Sequence, residues 1–278
     1  MTETQVKFVS RNPGSKGHSG ALFYLENELA KYAGNVETQS FKYAGYNCEV
    51  LSLTNVIAQF NPASKKRIML CAHWDTRPRA EHAKDIHKRN FPITGANDGA
   101  SGCGVLLELA RLLKLYRVDY GIDLVFFDGE DYGKENDLNG FCLGSKHYSA
   151  NVQPGKVHAL GVLLDLVGDK EDRFPMEGYS VRFAPDIVDM IWGIAIDQNS
   201  PAFIPEKEPA IYDDHVPLQE AGITNVDIID SGLVGGHNEN QRKNYRHSEF
   251  DNMQNIGKDT IRRVGNVLAN LIYSIHFN

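Results

Sequence analysis

The 278-residue chain contains no apolar run that approaches the roughly 18 residues of a membrane-spanning helix. We therefore expect no membrane span. The opening residues, MTETQVKFVSRNPGSKG, also lack the apolar centre of a secretory signal peptide, so we expect no targeting segment in this sequence. An already processed chain would look the same, which leaves cytoplasmic, periplasmic and secreted locations open.

An excess of positive charge is also lacking. The chain has 36 acidic and 29 basic residues, which gives a formal net charge of −7. Surfaces that bind nucleic acids are basic, so the composition argues against a general nucleic-acid partner. Hydrophobic residues make up 42% and charged residues 23%, as in a globular protein with a sizeable core.

Cysteine is scarce, and no C-x-x-C pair occurs. Four widely spaced cysteines are too few to mark a disulfide scaffold in a chain of this length. We interpret them as buried free thiols in preference to disulfide partners. They are Cys48, Cys71, Cys103 and Cys142.

Internal repeats, low-complexity stretches and linkers are lacking as well, which predicts one domain over residues 1–278. Short apolar runs that end in His, Asp or Gly predict buried strands at 67–73, 122–128, 159–168 and 224–230. Segment 47–60 alternates in polarity and predicts an edge hairpin. Apolar residues at 3.6-residue spacing predict helices at 20–33, 104–115, 184–197 and 256–275. This alternation predicts a three-layer α/β/α sandwich around a mixed, mostly parallel sheet.

Histidines and carboxylates follow the predicted strands, where an α/β fold places its ligand site. They are His73, Asp75, Asp98, Glu130, Asp131, Asp165, Asp213, Asp214, His215 and His247. Clustered carboxylates repel one another, and a divalent cation removes that cost. Mixed imidazole and carboxylate ligands suit zinc in an open, catalytic site. Asp128 taken alone is interpreted as a turn or strand-end residue.

Seven short motifs in fixed order carry a family resemblance. They are AHWDT, GANDGASG, FFDGEDYG, GSKHY, LLDLVG, DDHVP and RHSEFD. In this order they resemble the zinc-dependent aminopeptidase superfamily and, within it, the glutaminyl-peptide cyclotransferases. The resemblance covers the chain from roughly residue 15 to its C-terminus. It implies a peptide or protein N-terminus as substrate and the conversion of N-terminal Gln to pyroglutamate.

The resemblance also implies residue roles. Asp98, Asp131 and His247 match the ligands of a single zinc ion. Glu130 matches the general acid/base, and Asp165 and Asp213 match two acids that hydrogen-bond to the reacting centre. Aminopeptidase relatives hold a second metal at the positions of His73 and Asp165, with Asp98 bridging, so one or two zinc ions remain open.

The sequence departs from the cyclotransferase pattern at the pocket wall. The cyclotransferases carry a tryptophan before the last histidine ligand, where this chain has Arg246, and another where it offers Phe141 or Tyr132. Cys103 matches one partner of a disulfide in the animal enzymes, but Cys71 is one position away from the other, so the bridge is not carried over. A metal-dependent aminopeptidase remains the alternative function, followed by an inactive binding module. The oligomeric state is open.

Overall fold

The computed structural model describes residues 1–134, 136–152, 158–235 and 238–277. A six-stranded sheet lies at its centre, in the order β1-β2-β4-β3-β5-β8, and β6 and β7 pair separately. The strands are β1 (Asn35–Ala44), β2 (Val50–Phe60), β3 (Arg67–His73), β4 (Gly121–Phe127), β5 (Gly161–Asp165), β6 (Phe174–Met176), β7 (Phe203–Lys207) and β8 (Asn225–Ile229).

The sheet is mixed, with its parallel part in the interior. β3 runs parallel to β4 and β5, and β5 runs parallel to β8. β1 and β2 form an antiparallel hairpin at one edge, and β2 pairs antiparallel with β4. The edge hairpin predicted within 47–60 is wrong in extent. Residues 50–60 supply only its second strand, and the first lies at 35–44, where mostly exposed side chains give little apolar signal.

Helices cover both faces of the sheet. They are α1 (Thr2–Val6), α2 (Lys16–Ala30), α3 (Ala100–Leu115), α4 (Leu143–Ala150), α5 (Gly178–Phe183), α6 (Pro185–Asp197), α7 (His215–Glu220) and α8 (Lys258–Ser274). The larger core joins α2, α3, α6 and α8 to one face. On the other face, Leu218 of α7 and Tyr148 of α4 pack against Met69, Cys71 and Val125. The predicted three-layer α/β/α arrangement is confirmed.

Two predicted helices begin earlier than their apolar patterns indicate. α2 begins at Lys16, where the Ser15 side chain accepts a hydrogen bond from the His18 backbone N–H at 3.0 Å. α3 begins at Ala100. Polar or small residues fill both first turns, so the apolar periodicity starts only after the helix has begun.

Burial explains the continuous apolar runs of the interior strands. Every residue of β3, β4, β5 and β8 is buried. Successive side chains point to opposite faces, so Leu70 joins the larger core while Cys71 joins the smaller one. Because these four strands run parallel, the residue that follows each of them lies at the same edge of the sheet.

Three cysteines are buried free thiols as predicted, whereas Cys48 is exposed. The Cys71 thiol donates to the Val162 carbonyl at 3.6 Å, and the Cys103 thiol donates to the His73 carbonyl at 3.1 Å. Cys71 and Cys103 thus each have a backbone acceptor, whereas the Cys142 thiol lies 3.7 Å from the Glu130 side chain. Among the described residues, no helix is long and apolar enough to cross a membrane.

Asp128, at the end of β4, is a buried residue and not a solvated turn. Its carboxylate lies 2.9 Å from His18 Nε2 and accepts the Thr54 backbone N–H at 2.6 Å. Burial raises the pKa of Asp128 to about 6. The position of Asp128 directly after β4 agrees with the expectation of a turn or strand-end residue, and the structure adds a partner that local sequence does not indicate, because α2 brings a histidine from 110 positions away.

We expect His18→Ala to lower the free energy of unfolding by about 1–3 kcal/mol, because the buried Asp128 carboxylate loses its side-chain partner and keeps only the Thr54 backbone N–H. The His18 ring also stacks on Trp74, with ring centroids 4.5 Å apart. Urea unfolding at neutral pH measures the loss. His276→Ala, at an exposed position, is the control and should change the free energy of unfolding little. A loss of less than about 1 kcal/mol for His18→Ala would contradict this role.

Candidate active site

The loops that follow the parallel strands bring the predicted residues to one edge of the sheet. His73 ends β3 and Asp165 ends β5. Glu130 and Asp131 lie in a short turn after β4. Asp98 precedes α3, Asp213 precedes α7, and His247 lies in the loop between β8 and α8. All seven side chains are buried.

Asp98, Asp131 and His247 form a group suited to a metal ion. One ligand atom from each lies within 4.8 Å of the others. His247 Nε2 is 3.5 Å from Asp98 Oδ2 and 3.4 Å from Asp131 Oδ1. Both Asp98 oxygens, Asp131 Oδ2 and His247 Nε2 are buried without a hydrogen-bond partner. Buried polar atoms in native proteins rarely lack partners, so this donor set fits a zinc ion.

The protonation states of this group favour metal binding. Burial and the nearby Arg246 lower the pKa of His247 to about 4, so the imidazole is neutral and can ligate. Burial acts to raise the pKa of Asp131, but His247 and Arg77 outweigh it and hold that pKa well below its usual range. Similarly, burial and Asp131 act to raise the pKa of Asp98, but Arg246 and His73 leave it lowered.

Several fixed contacts hold these ligands in place. Arg77 Nη1 donates to Asp131 Oδ1 at 2.7 Å, while its other nitrogens pair with Glu81. Asp251 accepts the Asp98 backbone N–H at 3.1 Å. Gly99 has φ of 91°, and a Cβ there would lie 2.7 Å from the Asp75 carbonyl oxygen, so only glycine fits this turn beside Asp98.

His73 lies beside the metal-ligand group. Its Nδ1 is 3.4 Å from Asp75 Oδ1, and its Nε2 is 3.2 Å from both Asp98 Oδ1 and Asp165 Oδ1. Burial acts to lower the pKa of His73, but these three carboxylates raise it well above its usual value. Asp75 also accepts the backbone N–H of Glu130 at 3.1 Å, so it fixes the turn after β4 as well as the imidazole.

Three acids border a cavity of about 170 Å³ next to this group. Burial raises the pKa of Glu130 and Asp213 well above their usual values, with Asp131 adding to the effect on Glu130. Burial also raises the pKa of Asp165. The remaining lining residues are Leu138, Phe141, Ile211, Tyr212, Ile229, Val234, Arg246 and His247. Perturbed acids in a pocket of this kind suit proton transfer.

Of the two aromatic residues that could take the place of the second family tryptophan, one lines the cavity and the other does not. Phe141 lines the cavity. Tyr132 instead packs with Leu51 and Leu53, and its hydroxyl donates to Glu49 at 2.5 Å. Arg246 also lines the cavity, so a cation stands where the resemblance implies a tryptophan. The wall therefore offers two aromatic rings, those of Phe141 and Tyr212, and one guanidinium.

Sequence reasoning missed several residues of this site. Arg77 was not singled out, although AHWDTRPR places two arginines directly after His73 and Asp75. Asp251 lies in the last quoted motif but was given no role. Cys142 forms a further close group with Glu130 and Asp213, its thiol 3.7 Å from Glu130 Oε1. Asp214, which the sequence did single out, accepts the Ser145 hydroxyl at 2.5 Å and supports the loop before α7.

Comparison with known proteins places the chain in a family. The model described as Peptidase family M28 matches residues 55–272, which is most of the chain. The chain belongs to peptidase family M28. Among its curated M28-like relatives is the glutaminyl-peptide cyclotransferase of Bos taurus, which is 26% identical over 302 residues, covering 94% of this chain and 77% of the relative.

The chain is similar to solved structures that are described with two different functions. A glutaminyl cyclase of Bacteroides thetaiotaomicron, bound to N-acetylhistamine, is 38% identical with a TM-score of 0.93, covering 99% of this chain and 96% of that one. A structure described as a leucine aminopeptidase precursor from the same organism is 38% identical with a TM-score of 0.92, covering 99% and 95%. The resemblance to glutaminyl-peptide cyclotransferases within the aminopeptidase-like fold is confirmed.

Proposed function

We propose that the chain is a zinc-dependent glutaminyl-peptide cyclotransferase that converts N-terminal glutamine to pyroglutamate and releases ammonia. The observation that carries the proposal is the convergence of Glu130, Asp165 and Asp213 on one cavity beside the Asp98–Asp131–His247 group. The similarity to glutaminyl cyclases over nearly the whole chain supports it. The proposed substrate is the N-terminus of a peptide or protein.

Asp98, Asp131 and His247 would hold the zinc ion. Bound zinc would supply Lewis acidity towards the γ-amide carbonyl of the substrate. The partnerless oxygens of Asp98 and the partnerless Nε2 of His247 support this assignment. Arg77 keeps Asp131 oriented, so the metal-ligand geometry does not depend on the ion alone.

Glu130 is the proposed proton carrier. It removes a proton from the α-amine as the nitrogen attacks the carbonyl carbon of the γ-amide, and it returns that proton to the departing ammonia. A C–N bond forms in the ring as the amide C–N bond breaks, so atoms and charge balance. Burial raises the pKa of Glu130 well above its usual value, the direction that makes a carboxylate a better proton acceptor.

Asp165 and Asp213 are the proposed positioning acids. Both line the cavity together with His247, and burial raises the pKa of both carboxyls above its usual value. A protonated carboxyl can donate to the departing nitrogen while its partner accepts from the amide. Because the ring closure is intramolecular, holding the amide and amine in place contributes much of the rate.

Mass spectrometry tests the proposal directly. We expect the zinc-loaded protein to convert a Gln-initiated peptide to a product lighter by one ammonia. The same peptide beginning with Asn, which is one methylene shorter, is the matched control and should stay intact. Release of the first residue as a free amino acid, without loss of ammonia, would instead identify an aminopeptidase.

One observation favours the aminopeptidase function. The chain is as similar in sequence to the structure described as a leucine aminopeptidase precursor as it is to the glutaminyl cyclase. A bound water would then be the nucleophile, with Glu130 as its base. An inactive binding module is disfavoured, because every proposed ligand and acid is present and buried in the same edge of the sheet.

A further inference from the structure

Arg11 is a fully buried arginine in the segment that joins α1 to α2. Its side chain donates to three backbone carbonyls, through Nε to Trp74 at 2.9 Å, through Nη1 to Thr94 at 3.0 Å and through Nη2 to Gly95 at 2.9 Å. A buried charge normally has an ionic partner or a metal, because its removal from water is costly. Arg11 instead directs all three side-chain nitrogens to the main chain of two loops.

These two loops carry residues of the candidate metal centre. The first loop follows β3, and the Trp74 carbonyl in it comes directly before Asp75. The second loop leads to Asp98 and then to α3. Its Gly95 carbonyl also accepts a backbone N–H from the start of α3 at 3.3 Å, which closes the turn around Asp98. Arg11 therefore joins two segments that are far apart in the sequence and adjacent in the site.

The same two loops approach each other closely beside Arg11. Gly95 has φ of 61°, and a Cβ there would clash with the Thr76 methyl group, so only glycine fits at this point. The Thr76 hydroxyl oxygen accepts the Arg11 backbone N–H at 2.9 Å. Both the main chain and the side chain of Arg11 thus contact the loop after β3, and the side chain also contacts the loop before α3.

The position of the first loop also determines where Asp131 lies. The Asp75 carboxylate accepts the Glu130 backbone N–H at 3.1 Å and the Asp131 backbone N–H at 3.3 Å. A shift of the loop after β3 would therefore move the turn after β4 with it. Arg11 is the shared anchor of the segments that present Asp98 and Asp131.

We propose that Arg11 is a positioning residue that fixes the distance between Asp98 and Asp131, two of the three proposed zinc ligands. It acts only through the two loops, because its donors reach backbone carbonyls and no ligand side chain. Asp251 supports the loop before α3 from another side, where it accepts the Asn97 and Asp98 backbone N–H groups at 2.8 and 3.1 Å. Loss of Arg11 should therefore loosen the ligand set without dismantling it. The inference deepens the proposed function and rests on its metal centre.

Zinc affinity tests this role without any substrate. Competition with a chelator of known affinity is measured for Arg11→Met, which removes the donors and the charge, and for Arg11→Lys, which keeps the charge but not the three-way contact. Arg67→Met and Arg67→Lys are the matched controls. Arg67 is also a buried arginine that donates to backbone carbonyls, those of Asn61 and Ser64 among them, but it begins β3 at the end away from the metal centre.

We expect both Arg11 variants to bind zinc at least about tenfold more weakly than the wild type, the lower end of the range for groups that orient metal ligands. The Arg67 variants should bind zinc as the wild type does, although either arginine contributes to the free energy of unfolding through its buried hydrogen bonds. In an active enzyme, excess zinc should restore kcat in Arg11→Lys, since no reacting group is lost. Circular dichroism restricts the comparison to folded proteins, and Arg11→Lys decides if Arg11→Met does not fold.

Wild-type zinc affinity in the folded Arg11 variants, or an equal loss in the Arg67 variants, would overturn the proposal. A wild-type protein that binds no zinc would overturn both this role and the metal centre. Because binding requires no turnover, a protein that shows the expected pattern but fails to cyclise glutamine would reject only the proposed function.

Discussion

Glu130→Gln is expected to lower kcat for glutamine cyclisation by about 10²–10⁴-fold, the usual contribution of a positioned general acid/base. The amide keeps the size of the carboxylate but cannot accept the proton that the α-amine loses. The backbone contact with Asp75 that fixes Glu130 does not involve its side chain, so the turn after β4 should keep its shape. KM should change less than kcat, because the lost step is chemical.

Steady-state assays on a Gln-initiated peptide, with zinc content measured in parallel, check this effect. Glu108→Gln, an exposed carboxylate on α3, is the matched control and should leave kcat unchanged. Zinc content should be equal in all three proteins, since Glu130 is not among the proposed ligands of the first ion. Turnover by Glu130→Gln at the wild-type rate would remove Glu130 from the mechanism and leave Asp213 as the next acid to examine.

His247→Ala is expected to weaken zinc binding by more than about a hundredfold, because even partners outside the ligand set cost about 10–100-fold when removed. His247 supplies the sole nitrogen in its group of three ligands. The change also empties the space beside Asp131 Oδ1, which lies 3.4 Å from the imidazole. Zinc competition with a chelator of known affinity measures the loss, and activity should fall with it.

His82→Ala removes a residue that supports the same metal centre without being one of its proposed ligands. The His82 ring stacks on His247 with centroids 5.1 Å apart, and its Nδ1 holds the Arg246 carbonyl. We expect a smaller loss of about 10–100-fold, which excess zinc should rescue. His247→Ala should resist rescue at the same zinc concentration. Equal zinc affinity in His247→Ala and the wild type would exclude His247 as a ligand.

The interior strands were predictable because burial on both faces requires continuous apolar sequence. Residues 67–73 form β3 as predicted, and 122–128 differs from β4 by one residue at each end. β1 was missed, because its exposed and half-buried residues carry no such requirement. The single domain over 1–278 stays a prediction, as do the roles assigned to Glu130, Asp165 and Asp213.

The residues that support the site were harder to predict. The sequence predicts Asp128 as a turn or strand-end residue, which agrees with its place after β4, but it does not indicate the partner His18 in α2. Arg77 follows the His73 motif, yet nothing local indicates that it reaches Asp131. In each case the deciding contact joins segments more than 50 residues apart, and sequence periodicity does not report such contacts.

Local sequence patterns are enough to predict the sandwich and to place His73, Asp98, Glu130, Asp131 and Asp165 at one edge of it. These features follow from local patterns, since an apolar run must be buried and the residue after it must emerge at the strand end. The direction in which the pKa of each of these residues shifts, and the position of Arg246 at Asp98, depend on contacts that only the folded chain makes. Charge interactions depend on distance through space and on burial, and the folded chain sets both.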